Sequence, residues 1–167
     1  PATFKLSNGV TVHHWERREL PLAAMTVLQP FGSASDLPKK AGIAALTADM
    51  LDEGAGTRNA LEFSDALKWL GAEMEADVSP ESTRIRLTSL SKNFGSAAEL
   101  VADAMLRPRF EDKEWLRVHT LHVQELKRRL DEARYVGETV ALRAYFGDSH
   151  PYSRPVDGTA STAESIT

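Results

Sequence analysis

Apolar and polar residues alternate along "FKLSNGVTVHHW" on both sides of Asn8-Gly9. Asn-Gly accepts the positive φ of a tight turn, so residues 4–6 and 10–15 are predicted as the two strands of a hairpin. A third strand is expected over residues 23–29, ended by Pro30 and Gly32. From Asp36 the period shifts from 2 to 3.6. One helix is expected to begin there, with Asp36 as N-cap and Pro38 in the first turn. It would carry Ile43, Leu46, Met50 and Leu51 on one side and stop at Gly54 and Gly56. A second helix follows from Asn59-Ala60-Leu61-Glu62, which has the form of a capping box. Leu61, Ala66, Leu67 and Leu70 would face inward, and Gly71 would close it.

"AEMEADV" then alternates strictly, with Ala72, Met74, Ala76 and Val78 on one face and Glu73, Glu75 and Asp77 on the other. "SPES" turns the chain, and "TRIRLTSL" returns with Ile85 and Leu87 inward and Arg84 and Arg86 outward. This is the pattern of an antiparallel pair buried on one face, its acids set against the arginines of its partner. Ser91 is expected to cap a helix that runs through Leu106 and ends before Pro108. A long helix is expected over residues 111–134, with Trp115, Val118, His122, Leu126 and Leu130 along one stripe. A shorter helix over 136–146 would end at Gly147, and Ser161-Thr162-Ala163-Glu164 has the capping-box form of one more helix start. No internal repeat or low-complexity segment is present. The expected fold class is α+β: one domain over residues 1–167, a mostly antiparallel sheet with helices packed on one face.

Composition narrows the function classes. The chain has 42% hydrophobic and 26% charged residues, as a globular domain does. Its net charge of -4, from 20 basic and 24 acidic residues, argues against a general nucleic-acid binder. With no cysteine there is neither a disulfide nor thiolate chemistry, which leaves the compartment open. No apolar run approaches the roughly 18 residues of a membrane span. The chain opens on Pro1, and its final capping box lies only a turn before Thr167; a fragment of a longer protein is the expectation.

Several side chains invite a chemical reading. "HTLHVQE" sets His119, His122 and Glu125 three residues apart on one helix, and these are ligand types that suit zinc. The alternative is that His122 packs under the sheet and Glu125 bonds a neighbour, since no H-E-x-x-H completes a site. His13 and His14 are strand neighbours that point to opposite faces and cannot chelate together. Lys127, Arg128 and Arg129 suit the negative end of a helix dipole and read as a solvated face. "GAGTR" is too short for a phosphate loop, and no G-x-S-x-G elbow occurs. "FGDSHPYSRPVDGT" is a rigid turn that presents His150, Tyr152 and Arg154, residues of structural or substrate-contacting use.

That last segment resembles the H-P-Y-G-R-P…G-T loop of the pitrilysin/insulinase-type zinc metallopeptidases, which include the mitochondrial processing peptidases. "GSASDLPKKAGIAALTADMLDEGAGTR" is similar to their G-S…G-L-A-H-F-L-E-H-M-L-F-K-G-T segment, with Gly32, Ser33, Gly42, Ala44, Met50, Leu51, Gly54 and Thr57 matching as they stand. "LRPRFEDKEW" and the "LSNGVTV" hairpin also match, in the family's order. The resemblance implies the first of two homologous α+β halves. It also implies an inverted zinc motif, H-x-x-E-H, on the helix after Gly42. The first histidine falls on Ala45, the catalytic glutamate on Ala48, the second histidine on Asp49, the distant glutamate ligand on Glu125 and an accompanying acid on Val118. Only Glu125 is retained, so no catalytic residue, bound metal or other cofactor is expected here. Zinc is expected only in an active partner.

The implied function is a non-catalytic partner subunit that assists substrate binding or assembly of an active zinc endopeptidase, as a hetero-oligomer with it or as a homodimer, with peptide as a possible substrate. The alternatives are a structural, core-type subunit of a larger complex and a zinc endopeptidase with unusual ligands. The resemblance also suggests the periplasm if the source is bacterial.

Overall fold

The Asn8-Gly9 turn closes the first hairpin, with Gly9 at φ +87°. In the computed structural model, which describes all 167 residues, β1 (Ala2–Lys5) and β2 (Thr11–His14) pair antiparallel with Lys5 opposite Thr11. This hairpin stands apart from the main sheet. β3 (Leu22–Gln29) enters that sheet as an edge strand.

The single helix expected from Asp36 is instead two short 3-10 turns, Ser33–Ser35 and Pro38–Lys40, followed by α1 (Ile43–Asp49). The break is Gly42, at φ +101°, a conformation that an L side chain rarely adopts. A β-carbon on Gly42 would lie 2.5 Å from the Asp157 carbonyl oxygen, and one on Gly158 would lie 2.1 Å from that of Ala41. Two backbones therefore cross where only glycine fits. Asp36 still serves the helix, from six residues upstream: its buried carboxylate accepts the N–H groups of Gly42 (2.9 Å) and Ala44 (3.5 Å). Burial holds that carboxyl above its ordinary titration range, and these bonds and Arg154 offset part of the effect.

A two-residue ladder, β4 (Gly54–Ala55) with β5 (Arg58–Asn59), leads into α2 (Ala60–Trp69). The capping box at its start is complete: Asn59 accepts the Glu62 N–H at 3.0 Å and Glu62 accepts the Asn59 N–H at 2.9 Å. The inward face differs from the expected one. Leu61 is 70% exposed, whereas Phe63 and Leu67 are buried. With the cap at Asn59, positions 63, 67 and 70 share the face toward the sheet, and Leu61 lies off it.

β6 (Ala72–Val78) and β7 (Thr83–Leu90) form the expected antiparallel pair, and the sheet order is β3-β7-β6. Glu75 stands opposite Arg86 and Asp77 opposite Arg84, at 3.8 and 4.0 Å. These are exposed pairs, worth a few tenths of a kcal/mol each. On the other face Ile85 and Leu87 pack with Leu51 and with Ala97 and Val101 of α3 (Phe94–Leu106). Phe63 and Leu67 of α2 join Leu100 and Ala104 beside them. The result is an antiparallel sheet with helices packed on one face. Ser91 does not cap α3. It opens a 3-10 turn, Ser91–Asn93, and Asn93 donates to the Leu70 carbonyl at 2.8 Å, tying α3 to the end of α2.

The long helix ends earlier than its stripe implied. α4 (Asp112–Arg129) stops among three basic residues that suit its negative end, Glu132 is extended, and Leu130 is exposed. α5 (Ala133–Phe146) follows as a separate helix with no buried residue. After a 3-10 turn, Pro151–Ser153, the last helix is α6 (Ala160–Glu164). Its cap is Thr159, two residues before the expected Ser161, because the crossing at Gly158 fixes the start. Thr162 bonds back to Thr159 and donates its hydroxyl to the Ala41 carbonyl at 2.8 Å.

Two substitutions probe this frame. Ser89 is buried in β7 opposite Ala23 and Ala72, and its hydroxyl has no partner. Ser89→Ala removes an unsatisfied polar group and should raise stability by about 1 kcal/mol, a few degrees in Tm by differential scanning calorimetry. Gly158→Ala forces a β-carbon into the Ala41 carbonyl at positive φ, and should cost roughly 2 kcal/mol or more in urea unfolding.

Candidate functional site

The end of α1, the cleft-facing side of α4, the edge strand β6 and the loop at Asp157 enclose a cleft of about 510 Å³. Leu46 and Met50 anchor α1 by packing against Val118 of α4 and Ile166. Ala45 and Ala48 are buried, and Asp49 is carried to the cleft at the last turn.

Asp49 meets His122, whose Nδ1 lies 3.6 Å from Asp49 Oδ2. The other ring nitrogen, Nε2, donates to the Asp157 carbonyl at 2.9 Å. Both nitrogens thus face oxygens, which favours the doubly protonated ring. The Asp49 carboxylate, foremost, and the Asp157 carbonyl raise the His122 pKa above its ordinary 6.5, against the opposing effect of burial. One turn on, Glu125 accepts from Arg128 at 2.8 and 2.7 Å and from Arg129 at 3.1 Å. These bonds hold its carboxyl down at about 2. Arg129 also donates to the Asp157 carboxylate. Among the other acids of the cleft, Glu53 pairs with Arg117 and Glu75 with Arg86. Asp52 has no ion-pair partner, and desolvation, then Glu53 and Asp49, push its carboxyl up.

The candidate zinc ligands of "HTLHVQE" do not converge. His119 turns to α6, where Nε2 donates to the Ala163 carbonyl at 2.8 Å, its ring beside Trp115. His122 faces the cleft rather than the underside of the sheet, and Glu125 bonds its own helix. No group of three or more His, Asp or Glu side chains is placed to hold a metal ion. Ala45 and Ala48 supply no donor, Asp49 and Glu125 are engaged by cations, and Val118 sits in an apolar cluster. This donor set does not fit zinc, which needs three or four converging nitrogen, sulfur or oxygen ligands. His13 bonds Thr3 at 3.1 Å on the separate hairpin, and His14 is exposed there. The basic run is not simply a solvated face: Lys127 pairs with Glu164 at 2.6 Å, and Arg129 is partly buried in the cleft.

The proline-rich loop lies elsewhere. His150 stacks on Phe146 with centroids 5.1 Å apart and accepts the Tyr152 N–H at 3.1 Å. The Tyr152 hydroxyl donates to Glu81 in the β6–β7 turn, and Arg154 donates to the Asp36 carbonyl at 3.4 Å. None of the three lines the cleft. Sequence reasoning missed Asp157 and the cleft role of Arg129. The one available signal was the three- and four-residue spacing that sets His122, Glu125 and Arg129 on a single helix face.

The family profile described as Insulinase (Peptidase family M16) matches residues 17–148. The chain belongs to this family. Among relatives of the M16 family, a protein named an uncharacterized zinc protease from Rickettsia bellii is 25% identical over 162 residues, which cover 97% of this chain and 39% of that protein. One of the same name from Mycobacterium leprae is 28% identical over 145 residues, 87% of this chain and 32% of its own length. The chain therefore spans two-fifths or less of these M16 relatives. The fold matches the crystal structure of a peptidase M16 inactive domain from Pseudomonas fluorescens with a TM-score of 0.92, at 24% identity, over 99% of this chain and 40% of that one. Pitrilysin matches at 0.81 and 22% identity, over 96% of this chain and 17% of its own.

The raised His122 pKa carries a pH signature. A pKa above the unfolded value of 6.5 means that the pairing stabilises the fold fully below pH 6.5 and loses that contribution as pH rises through the folded pKa. Thermal melts of the parent chain and Asp49→Asn should differ by up to about 1 kcal/mol at pH 5.5, given the half-exposed Asp49, and converge by pH 9.

Proposed function

We propose that this chain is a non-catalytic M16 half-domain that serves as a partner subunit, assisting substrate binding or assembly of an active zinc endopeptidase. The observation that carries the reading is the end of α1. Where the family resemblance places a metal-binding pair and a general base, two buried alanines and one histidine-paired aspartate stand. A hydrolytic step on a peptide needs a water activated by a metal or a base, and Ala48 can accept no proton. The fold likeness to a protein described as an inactive domain supports the same reading. The relatives named zinc proteases are 25% and 28% identical to this chain, so the activity in their names does not by itself extend to this cleft.

In this reading zinc belongs to the partner. The cleft, walled by the edge strand β6, keeps a shape in which an extended peptide could lie without being cut. His150, Tyr152 and Arg154 brace the α5 end, the β6–β7 turn and the Asp36 segment.

The test is co-expression of the full-length protein with a homologue that carries H-x-x-E-H. Stable co-purification and peptide turnover well above that of the homologue alone, abolished by a chelator, are expected. Turnover by this protein alone, lost on chelation, overturns the reading. Assembly with no gain in turnover would mark a structural subunit instead.

A further inference from the structure

We infer that His122 and Arg129 take the structural place of the metal ion, cross-linking α1, α4 and the Asp157 loop across the cleft. The inference rests on the non-catalytic reading above, which treats Ala45, Ala48, Asp49 and Glu125 as positions of a lost site. A metal held by residues of α1 and α4 would tie those two helices together. Here the tie persists through the chain's own cations.

Asp49, on α1, faces Nδ1 of His122, on α4, at 3.6 Å, and Nε2 of the same ring holds the Asp157 carbonyl at 2.9 Å. One further turn along α4, Arg129 donates to the Asp157 carboxylate and to Glu125 at 3.1 Å. Asp157 is thus gripped twice, by its backbone through His122 and by its side chain through Arg129. The adjoining Gly158 lies against Ala41 at the root of α1, so the circuit closes back on the helix where it began.

Charge argues the same way. Every acid of the cleft except Asp52 already has a basic partner. A divalent ion entering would face His122 and Arg129, and Glu125 would have to leave two guanidinium groups to reach it. Restoring the three residues of α1 is therefore not enough to rebuild a zinc site.

The experiment compares zinc binding by titration calorimetry in four forms of the 167-residue chain. These are the parent, the graft Ala45→His/Ala48→Glu/Asp49→His, the release His122→Gln/Arg129→Gln, and graft and release combined. Arg128 is left in place in all four forms, so its two bonds to Glu125 weigh equally on the graft and the combined form and the comparison reads His122 and Arg129 alone. The combined form should bind one zinc at least about tenfold more tightly than the graft, in line with the effect of groups that engage or free a ligand.

Equal affinity of graft and combined forms overturns the inference and leaves the non-catalytic reading intact. Tight stoichiometric zinc binding by the parent overturns both. Thermal melts give a readout independent of the graft's folding. The release alone should melt about 4 °C or more below the parent, and saturating zinc should restore much of that loss in the combined form. A release variant that melts within a degree of the parent shows that the two cations do not hold the cleft together, and also overturns the inference.

Discussion

Where Ala41 and Gly42 cross Asp157 and Gly158, two backbone segments lie too close for any side chain between them. The rest of the domain's functional half depends on this contact. It sets the start of α1, since Gly42 adopts a conformation from which a helix can begin but through which it cannot pass. It also fixes the start of α6, whose Thr162 reaches back to Ala41. And it delivers Asp157 to α4, where its carbonyl and carboxylate meet His122 and Arg129. Ala41, Gly42 and Gly158 are buried there, but residues this small bring little apolar area to the contact. Close approach, a buried Asp36 cap and a few hydrogen bonds hold the segments together instead.

The distribution of what was legible in the sequence follows from this. The Asn8-Gly9 hairpin, the Asn59 capping box and the β6–β7 register with its acid–arginine pairs are decided by neighbours in the chain, and pattern alone located them. The α+β class and the one-sided packing followed, since a sheet with one alternating apolar face must be covered. The features that were misplaced are decided from far away. The helix start moved from Asp36 to Ile43 because Gly42 answers to Asp157. The α6 cap moved from Ser161 to Thr159 because Gly158 answers to Ala41. Phe63 rather than Leu61 faces the sheet because the cap sets the rotation of α2. At the site, resemblance put Ala45, Ala48 and Asp49 on one helix, and of these Ala48 and Asp49 line the cleft. It carried no hint that His122 would turn toward them, because that contact depends on the tertiary fold rather than on spacing along α4.

The cleft also shows how chemistry and fold can part. α1 is held by Leu46 and Met50 in an apolar cluster with Val118, on the side of the helix that packing needs. The positions that would carry metal and base chemistry contribute little to that cluster. Alanine at two of them is the residue that favours helix most. Alanine at these positions therefore leaves the helix intact, and the acids of the cleft other than Asp52 pair with basic residues of α4 and β7.

Helix α5 makes a different use of the same neighbourhood. It buries no residue, and its partly covered side chains lie at Tyr135, Thr139 and Phe146. Phe146 is gathered in by His150 and Tyr152. At the other end the Arg129 guanidinium stands 6.0 Å from the centre of the Tyr135 ring, within cation–π range. One side chain is thus claimed by two structures at once, the cleft on one side and the root of α5 on the other. This outlying helix shares an anchor with a cleft that it does not line.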